Sequence, residues 1–185
     1  YGMTETTAST MCTWTEDDTE VLLETNGRYK FAGPAGDDAI GGLIAQYRVT
    51  EPETGQELPF GCEGELQVRG PVVTRGYFEK PEETDAAFTA DGWFRSGDIG
   101  RLSENGHLKL TGRLKETYRC GGEMVMPREI EDLLINYPGI AQVFAVGIPD
   151  PKMGEVGCLC IVPIDGAMPI VDDIIAHCAA RLARF

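Results

Sequence analysis

The sequence predicts an α+β chain in two parts: a mainly β part with a distorted barrel-like or sandwich-like form, then a small α+β part. Three observations carry this. Glu65–Arg69 and His107–Thr111 alternate polar and apolar residues, as strands do. Glycine- and proline-rich turns punctuate the chain up to Gly112 at short intervals. Beyond Gly112 apolar residues recur at helical spacing, at Ile130, Leu133, Leu134 and Tyr137 and again at Val171, Ile174, Ile175, Cys178 and Leu182.

Taken in order, Ser9 to Asn26 reads as a short helix or irregular turns, with Thr13-x-x-Glu16 as a possible capping box. Gly33-Pro34 and Gly41-Gly42 mark a loop before a strand over Leu43 to Val49, and Pro52–Gly55 and Gly61–Gly64 mark turns. Glu65–Arg69 is expected to be half-buried, with its polar residues towards water. Pro81-Glu82-Glu83-Thr84 opens a short helix running into Phe88, its acids well placed for the helix dipole. Trp93-Phe94 forms an aromatic anchor just before Ser96-Gly97-Asp98. His107 is expected in an exposed strand register and His177 on a helix flank. The second part reads as hairpin, helix, strand, strand, helix. Pro127 starts its first helix and Pro138-Gly139 stops it. Pro149-Asp150-Pro151 separates two apolar strands. Asp172 and Asp173 open the last helix, Arg181 and Arg184 close it, and Phe185 extends its apolar face.

The 185 residues allow one ordinary domain or two small ones. With 16 basic against 30 acidic residues the formal charge is −14, which argues against a nucleic-acid-binding surface. A single nucleotide is compatible, because one Arg, Mg²⁺ and backbone N–H groups can offset its charge. Six scattered cysteines without a CxxC pair, and only two histidines, argue against structural zinc. Read as buried thiols, with Cys158 and Cys160 on one face of a strand, they suit a reducing cytoplasm. No run approaches the roughly 20 apolar residues of a membrane helix.

No phosphate loop of the GxxxxGK[ST] type, GxGxxG, GxSxG or HExxH is present. Neither histidine stands beside a nucleophile, so triad chemistry is not expected. Three features could carry chemistry. Asp98, after Gly97, could accept two bonds from vicinal hydroxyls, or merely stabilise its turn. Arg113, after Gly112, could hold a sugar hydroxyl or phosphate, or a surface ion pair. Gly121-Gly122 could admit a ligand close to the backbone, or be a plain hairpin turn.

The order of these features resembles the adenylate-forming superfamily of acyl-CoA synthetases, peptide-synthetase adenylation domains and beetle luciferases. The resemblance rests on Tyr1-Gly2-Met3-Thr4-Glu5; on Gly64-Glu65-Leu66, Gly70-Pro71, Gly76-Tyr77 and Pro81-Glu82-x-Thr84; and on Asp91-Gly92-Trp93-Phe94-x-Ser96-Gly97-Asp98. It continues through Gly112-Arg113-Leu114-Lys115, Gly121-Gly122-Glu123 and Pro127-x-Glu129-Ile130-Glu131. It implies that residues 1–114 end a large AMP-binding domain and that 115–185 belong to a small lid domain turning about Lys115. Tyr1 would stack on adenine and Thr4 would contact phosphate. Glu5 would ligate Mg²⁺ and, with Thr4, act in catalysis. Asp98 and Arg113 would hold the ribose, and the loop from Gly121-Gly122 to Met126 would approach the pantetheine of coenzyme A. Activation of a fatty or aromatic carboxylic acid by ATP, then transfer to CoA, is the implied function. A carrier-loading adenylation domain and a non-catalytic AMP-binding module are the alternatives. The resemblance further implies a phosphate loop before Tyr1 and a charge-stabilising lysine after Phe185, so the 185-residue chain alone is expected to be inactive. Met124 stands where many fatty acyl-CoA synthetases have Asn. Oligomeric state is silent in the sequence.

Overall fold

The computed structural model describes residues 1–7, 9–31 and 36–183, so the expected Gly33-Pro34 loop, Arg184 and Phe185 lie outside the described residues. The chain divides into two compact units, Tyr1–Leu110 and Thr111–Phe185, and the mixed α+β class holds.

In the first unit a short pair, β1 (Met11–Cys12) and β2 (Arg28–Tyr29), runs antiparallel, with α1 (Thr19–Glu24) between. Asp18, not Thr13, caps α1: its extended backbone lets the carboxylate accept from Val21 N at 3.0 Å. The main sheet has the order β3 (Gln46–Thr50), β4 (Glu63–Arg69), β5 (Phe94–Leu102), β6 (Leu108–Arg113). Strand β3 starts at Gln46 because Leu43, the expected start, bridges to Phe31 and Asp37 instead. Backbone bonds from Asn26 N to Leu108 O and from Leu108 N to Gly27 O join β6 to the segment leading into β2. Met11, Tyr47, Val49, Leu66, Val68 and Phe94 are among the residues packed into one core. The burial of such side chains, each worth ~1.5–3 kcal/mol, drives the assembly.

Two sequence expectations need correction here. Strand β4 is covered on both faces: Glu65 and Gln67 are buried along with Leu66 and Val68. Their burial is tolerated because each is partnered, Glu65 by Arg95 at 3.3 Å and Gln67 by Arg48 Nε at 2.9 Å. His107 is not in an exposed register. Its backbone bridges to Arg28, its side chain is 18% exposed, and its Nε2 lies 3.9 Å from the buried carboxylate of Asp17.

α2 (Pro81–Ala87) begins with proline at its first turn and delivers Phe88 edge-on to Phe94 at 5.3 Å. Trp93 packs against two guanidinium groups, Arg48 at 4.6 Å and Arg69 at 4.4 Å from the ring centroid. Arg48 also grips the exposed Asp91 carboxylate with two bonds, at 2.7 and 3.1 Å. These bonds lower the Asp91 carboxyl pKa to about 2. A group depressed in the folded state contributes stability above its ordinary range and loses it as pH falls. The Asp91 contribution is therefore expected to be complete above about pH 4 and lost as pH falls towards 2. An NMR titration of the side-chain carboxyl carbon should find this low midpoint, and Arg48→Ala should return it to the ordinary range.

The second unit follows the expected order: a hairpin of β7 (Tyr118–Cys120) and β8 (Glu123–Val125), then α3 (Pro127–Leu134), β9 (Ile140–Asp150), β10 (Gly154–Pro163) and α4 (Val171–Ala179). Its sheet order is β8-β7-β10-β9. Leu134, Ile140, Val143 and Ile174 form its core. Only part of the apolar face expected for α4 is used. Ile174 is buried and Cys178 half-buried, whereas Val171 and Ile175 are exposed, because the turn set by Ile174 and Cys178 is the one that meets this core. His177 lies edge-on to Tyr137 at 4.9 Å. The cysteines are free but not uniformly buried: only Cys120 is, while Cys62 and Cys160 are exposed on a turn and on the open face of β10. Among the described residues no helix is long and apolar enough to cross a membrane.

Candidate active site

The opening residues fold back on themselves. Thr6 is wholly buried and closes a single 3-10 turn over Thr4–Thr6: its N–H and hydroxyl both donate to Met3 O, and its hydroxyl accepts from Met3 N. The carbonyl of Tyr1 accepts from the backbone N–H groups of Thr10 and Met11, so Tyr1 is fixed against the start of β1. An open depression of about 480 Å³ lies here, lined by Tyr1, Gly2, Met3, Thr4, Thr7 and Ser9.

Asp98 reaches this place through a bulge rather than the tight turn expected of Ser96-Gly97-Asp98. The register runs Gln67↔Arg95 and then Glu65↔Ile99, so β5 takes more residues than β4 over the same span. Gly97 supplies the positive φ of 69° that the bulge needs. Ser96 braces it: its hydroxyl donates to Leu66 O at 2.5 Å and accepts from Asp98 N at 3.0 Å. Asp98 is thereby buried to 6% exposure with its carboxylate turned to Tyr1, whose phenol donates to Oδ2 at 2.5 Å.

Burial first, and then the bond to Asp98, raise the Tyr1 phenol far above its ordinary range, so it stays a neutral donor. Behind it stands Tyr47, its ring 5.9 Å from that of Tyr1 and its hydroxyl 2.7 Å from Thr10 Oγ1. Burial pushes the Tyr47 phenol up to about 12. Glu5, half-buried in the 3-10 turn, receives the Tyr77 hydroxyl at 3.1 Å on Oε1.

The structure thus brings Tyr1 and Asp98 into contact and puts Thr4 and Glu5 on one short turn beside them. Arg113 ends β6, and Lys115 is exposed in a 3-10 turn over Leu114–Glu116. Gly121 and Gly122 form the exposed tip of the β7–β8 hairpin. Ser96, Tyr47, Thr10 and Tyr77 escaped sequence reasoning as supporting residues. For Ser96 the only local signal was its place inside the Trp93–Asp98 string.

Chemically, a buried carboxylate oriented by a phenol suits vicinal hydroxyls of a sugar. Among the described residues no group of three or more acidic, histidine or cysteine side chains could hold a metal ion. A lone carboxylate such as Glu5 nevertheless fits Mg²⁺, which is commonly bound by one or two carboxylates together with substrate phosphates.

Comparison with known proteins agrees in both units. The family model described as AMP-binding enzyme matches residues 1–78, and that described as AMP-binding enzyme C-terminal domain matches residues 129–185. The chain is 38% identical over its full length to 3-[(3aS,4S,7aS)-7a-methyl-1,5-dioxo-octahydro-1H-inden-4-yl]propanoyl:CoA ligase of Rhodococcus jostii, of which it covers 31%. It is 35% identical to feruloyl-CoA synthase of an Amycolatopsis species, covering 35% of that protein. Its fold is similar, over the whole chain and 34% of the partner, to ATP-bound MatB from Rhodopseudomonas palustris, with a TM-score of 0.84 at 34% identity. The same extent of o-succinylbenzoate CoA synthetase from Bacillus subtilis, in complex with its acyl-adenylate intermediate, gives a TM-score of 0.78 at 28% identity. The chain spans about a third of the length of these relatives.

Proposed function

This chain belongs to the adenylate-forming superfamily, and from that premise we propose that it is the nucleotide-binding and hinge portion of an AMP-forming acyl-CoA synthetase. The observation that carries the reading is the Tyr1–Asp98 pair, a buried carboxylate held in a bulge beside the depression over Thr4. In this reading Asp98 accepts the ribose hydroxyls. Tyr1 presents its ring to adenine while its hydroxyl stays on Asp98, which places base and sugar next to one another. Thr4 offers a hydroxyl to phosphate, and Glu5 holds Mg²⁺. The ion, when bound, offsets phosphate charge as pyrophosphate leaves.

The acid's carboxylate oxygen attacks the α-phosphorus of ATP, forming an acyl-adenylate and releasing pyrophosphate. The thiol of coenzyme A then attacks the acyl carbon and AMP leaves. Arg113 serves as a second ribose contact, Lys115 as the pivot of residues 115–185, and the Gly121-Gly122 tip as a wall of the thiol's path. These roles are supported by their family-like order and by the exposure of Lys115 and of the hairpin tip. We place the enzyme in the cytoplasm, since exposed free thiols such as Cys62 and Cys160 suit a reducing compartment.

The test is carboxylate-dependent ATP–pyrophosphate exchange by the complete enzyme over a panel of fatty and aromatic acids. Exchange with one class of acid, followed by consumption of CoA, is the expected result. Exchange without CoA use would point to a carrier-loading domain. AMP binding with no exchange on any acid would overturn the reading in favour of a binding module.

A further inference from the structure

The sequence singles out Gly76-Tyr77 and Pro81-Glu82-x-Thr84 without giving them work to do. Their positions in the fold suggest one. Three contacts sew the segment after β4 to the turn that carries Glu5. Thr74 N donates to Glu5 O at 2.7 Å, Thr7 Oγ1 donates to Val72 O at 3.1 Å, and the Tyr77 hydroxyl donates to Glu5 Oε1 at 3.1 Å. Tyr77 is in turn fixed from α2. Its backbone N–H donates to Thr84 Oγ1 at 2.9 Å, and that hydroxyl donates to Lys80 O at 2.7 Å. Gly76, at φ 147°, lets the two segments close up: a Cβ there would lie 2.5 Å from Thr84 Cγ2.

We infer that Tyr77 is a positioning residue for Glu5, and that Thr84 and Gly76 exist to hold Tyr77 in place. A carboxylate on a short surface turn can rotate. A hydroxyl bond to one of its oxygens fixes the carboxylate plane and hence the direction in which the other oxygen meets a cation. Tyr77 is suited to this because its hydroxyl reaches Oε1 of Glu5 while its backbone N–H is held by Thr84. The inference rests on Glu5 being the Mg²⁺ ligand, and the experiment separates the two.

In the complete enzyme, calorimetry would compare binding of ATP with excess Mg²⁺ against ATP in EDTA for wild type, Tyr77→Phe, Thr84→Val, Thr84→Ser and Glu5→Gln. Thermal unfolding of each variant would confirm that it folds. Tyr77→Phe removes a single hydroxyl, so it should weaken Mg²⁺–ATP about fivefold, the scale of one hydrogen bond, and leave ATP in EDTA unchanged. Thr84→Val should shift affinity in the same direction, and Thr84→Ser, which keeps the hydroxyl, should restore the wild-type value. If Glu5→Gln loses the metal-dependent affinity while Tyr77→Phe behaves as wild type, the positioning role is overturned and the role of Glu5 stands. If Glu5→Gln is itself without effect, Glu5 is not the ligand and the inference falls with it.

Discussion

Asp98→Ala is expected to weaken ATP binding by the complete enzyme about a hundredfold and to remove most carboxylate-dependent exchange. Two hydrogen bonds to a charged acceptor are lost, at ~1.5 kcal/mol each, and each 1.4 kcal/mol is tenfold. The Tyr1 hydroxyl also loses the carboxylate to which it donates. Two companions isolate the sugar contact. Asp98→Asn keeps the shape and an acceptor oxygen, so it should cost less than Ala. Substituting 2′-deoxy-ATP removes one of the hydroxyls instead of the carboxylate. If Asp98 holds the ribose, the mutant and the deoxy substrate should be strongly non-additive: the deoxy substitution should cost little once Asp98 is gone. Full additivity would assign Asp98 to the bulge alone.

Leu66→Ala should cost the first unit about 3 kcal/mol, within the ~2–5 kcal/mol range for truncating a buried leucine. Leu66 is fully buried at the centre of the first core, between β3 and β5. The cavity would open beside the bulge, since the Leu66 carbonyl receives the Ser96 brace and its Cδ1 packs over Gly100. Urea unfolding followed by intrinsic fluorescence should show a lower midpoint with an unchanged slope. Leu134→Ala, equally buried but in the second core, provides the comparison. A separate transition moved by Leu134→Ala and not by Leu66→Ala would show that the two units unfold independently.

What could be read in the sequence was what local chemistry encodes. Prolines at the first turns of α2 and α3, and the apolar spacing Ile130–Leu134, gave those helices because each signal acts within one turn. The acid at position 98 could be singled out for the same reason, but not its setting. Ser-Gly-Asp reads as a turn, and only pairing with β4 makes it a bulge. Glu65 and Gln67 looked solvent-facing because the arginines that satisfy them, Arg95 and Arg48, are distant in sequence. Tyr77 and Glu5 are 72 residues apart, and no periodicity reports a contact of that range. The His107 register failed similarly, since the loop that covers it, carrying Asp17, arrives from far upstream.

These 185 residues contain two tryptophans, and each lies under an arginine: Trp14 beneath Arg28, Trp93 against both Arg48 and Arg69. Trp93 precedes the bulge by only a few residues on the same run of chain. With Trp14→Phe in place, Trp93 becomes the one tryptophan of these 185 residues, an optical reporter beside the bulge. Urea that loosens these arginine contacts should then register as a change in emission without an added dye.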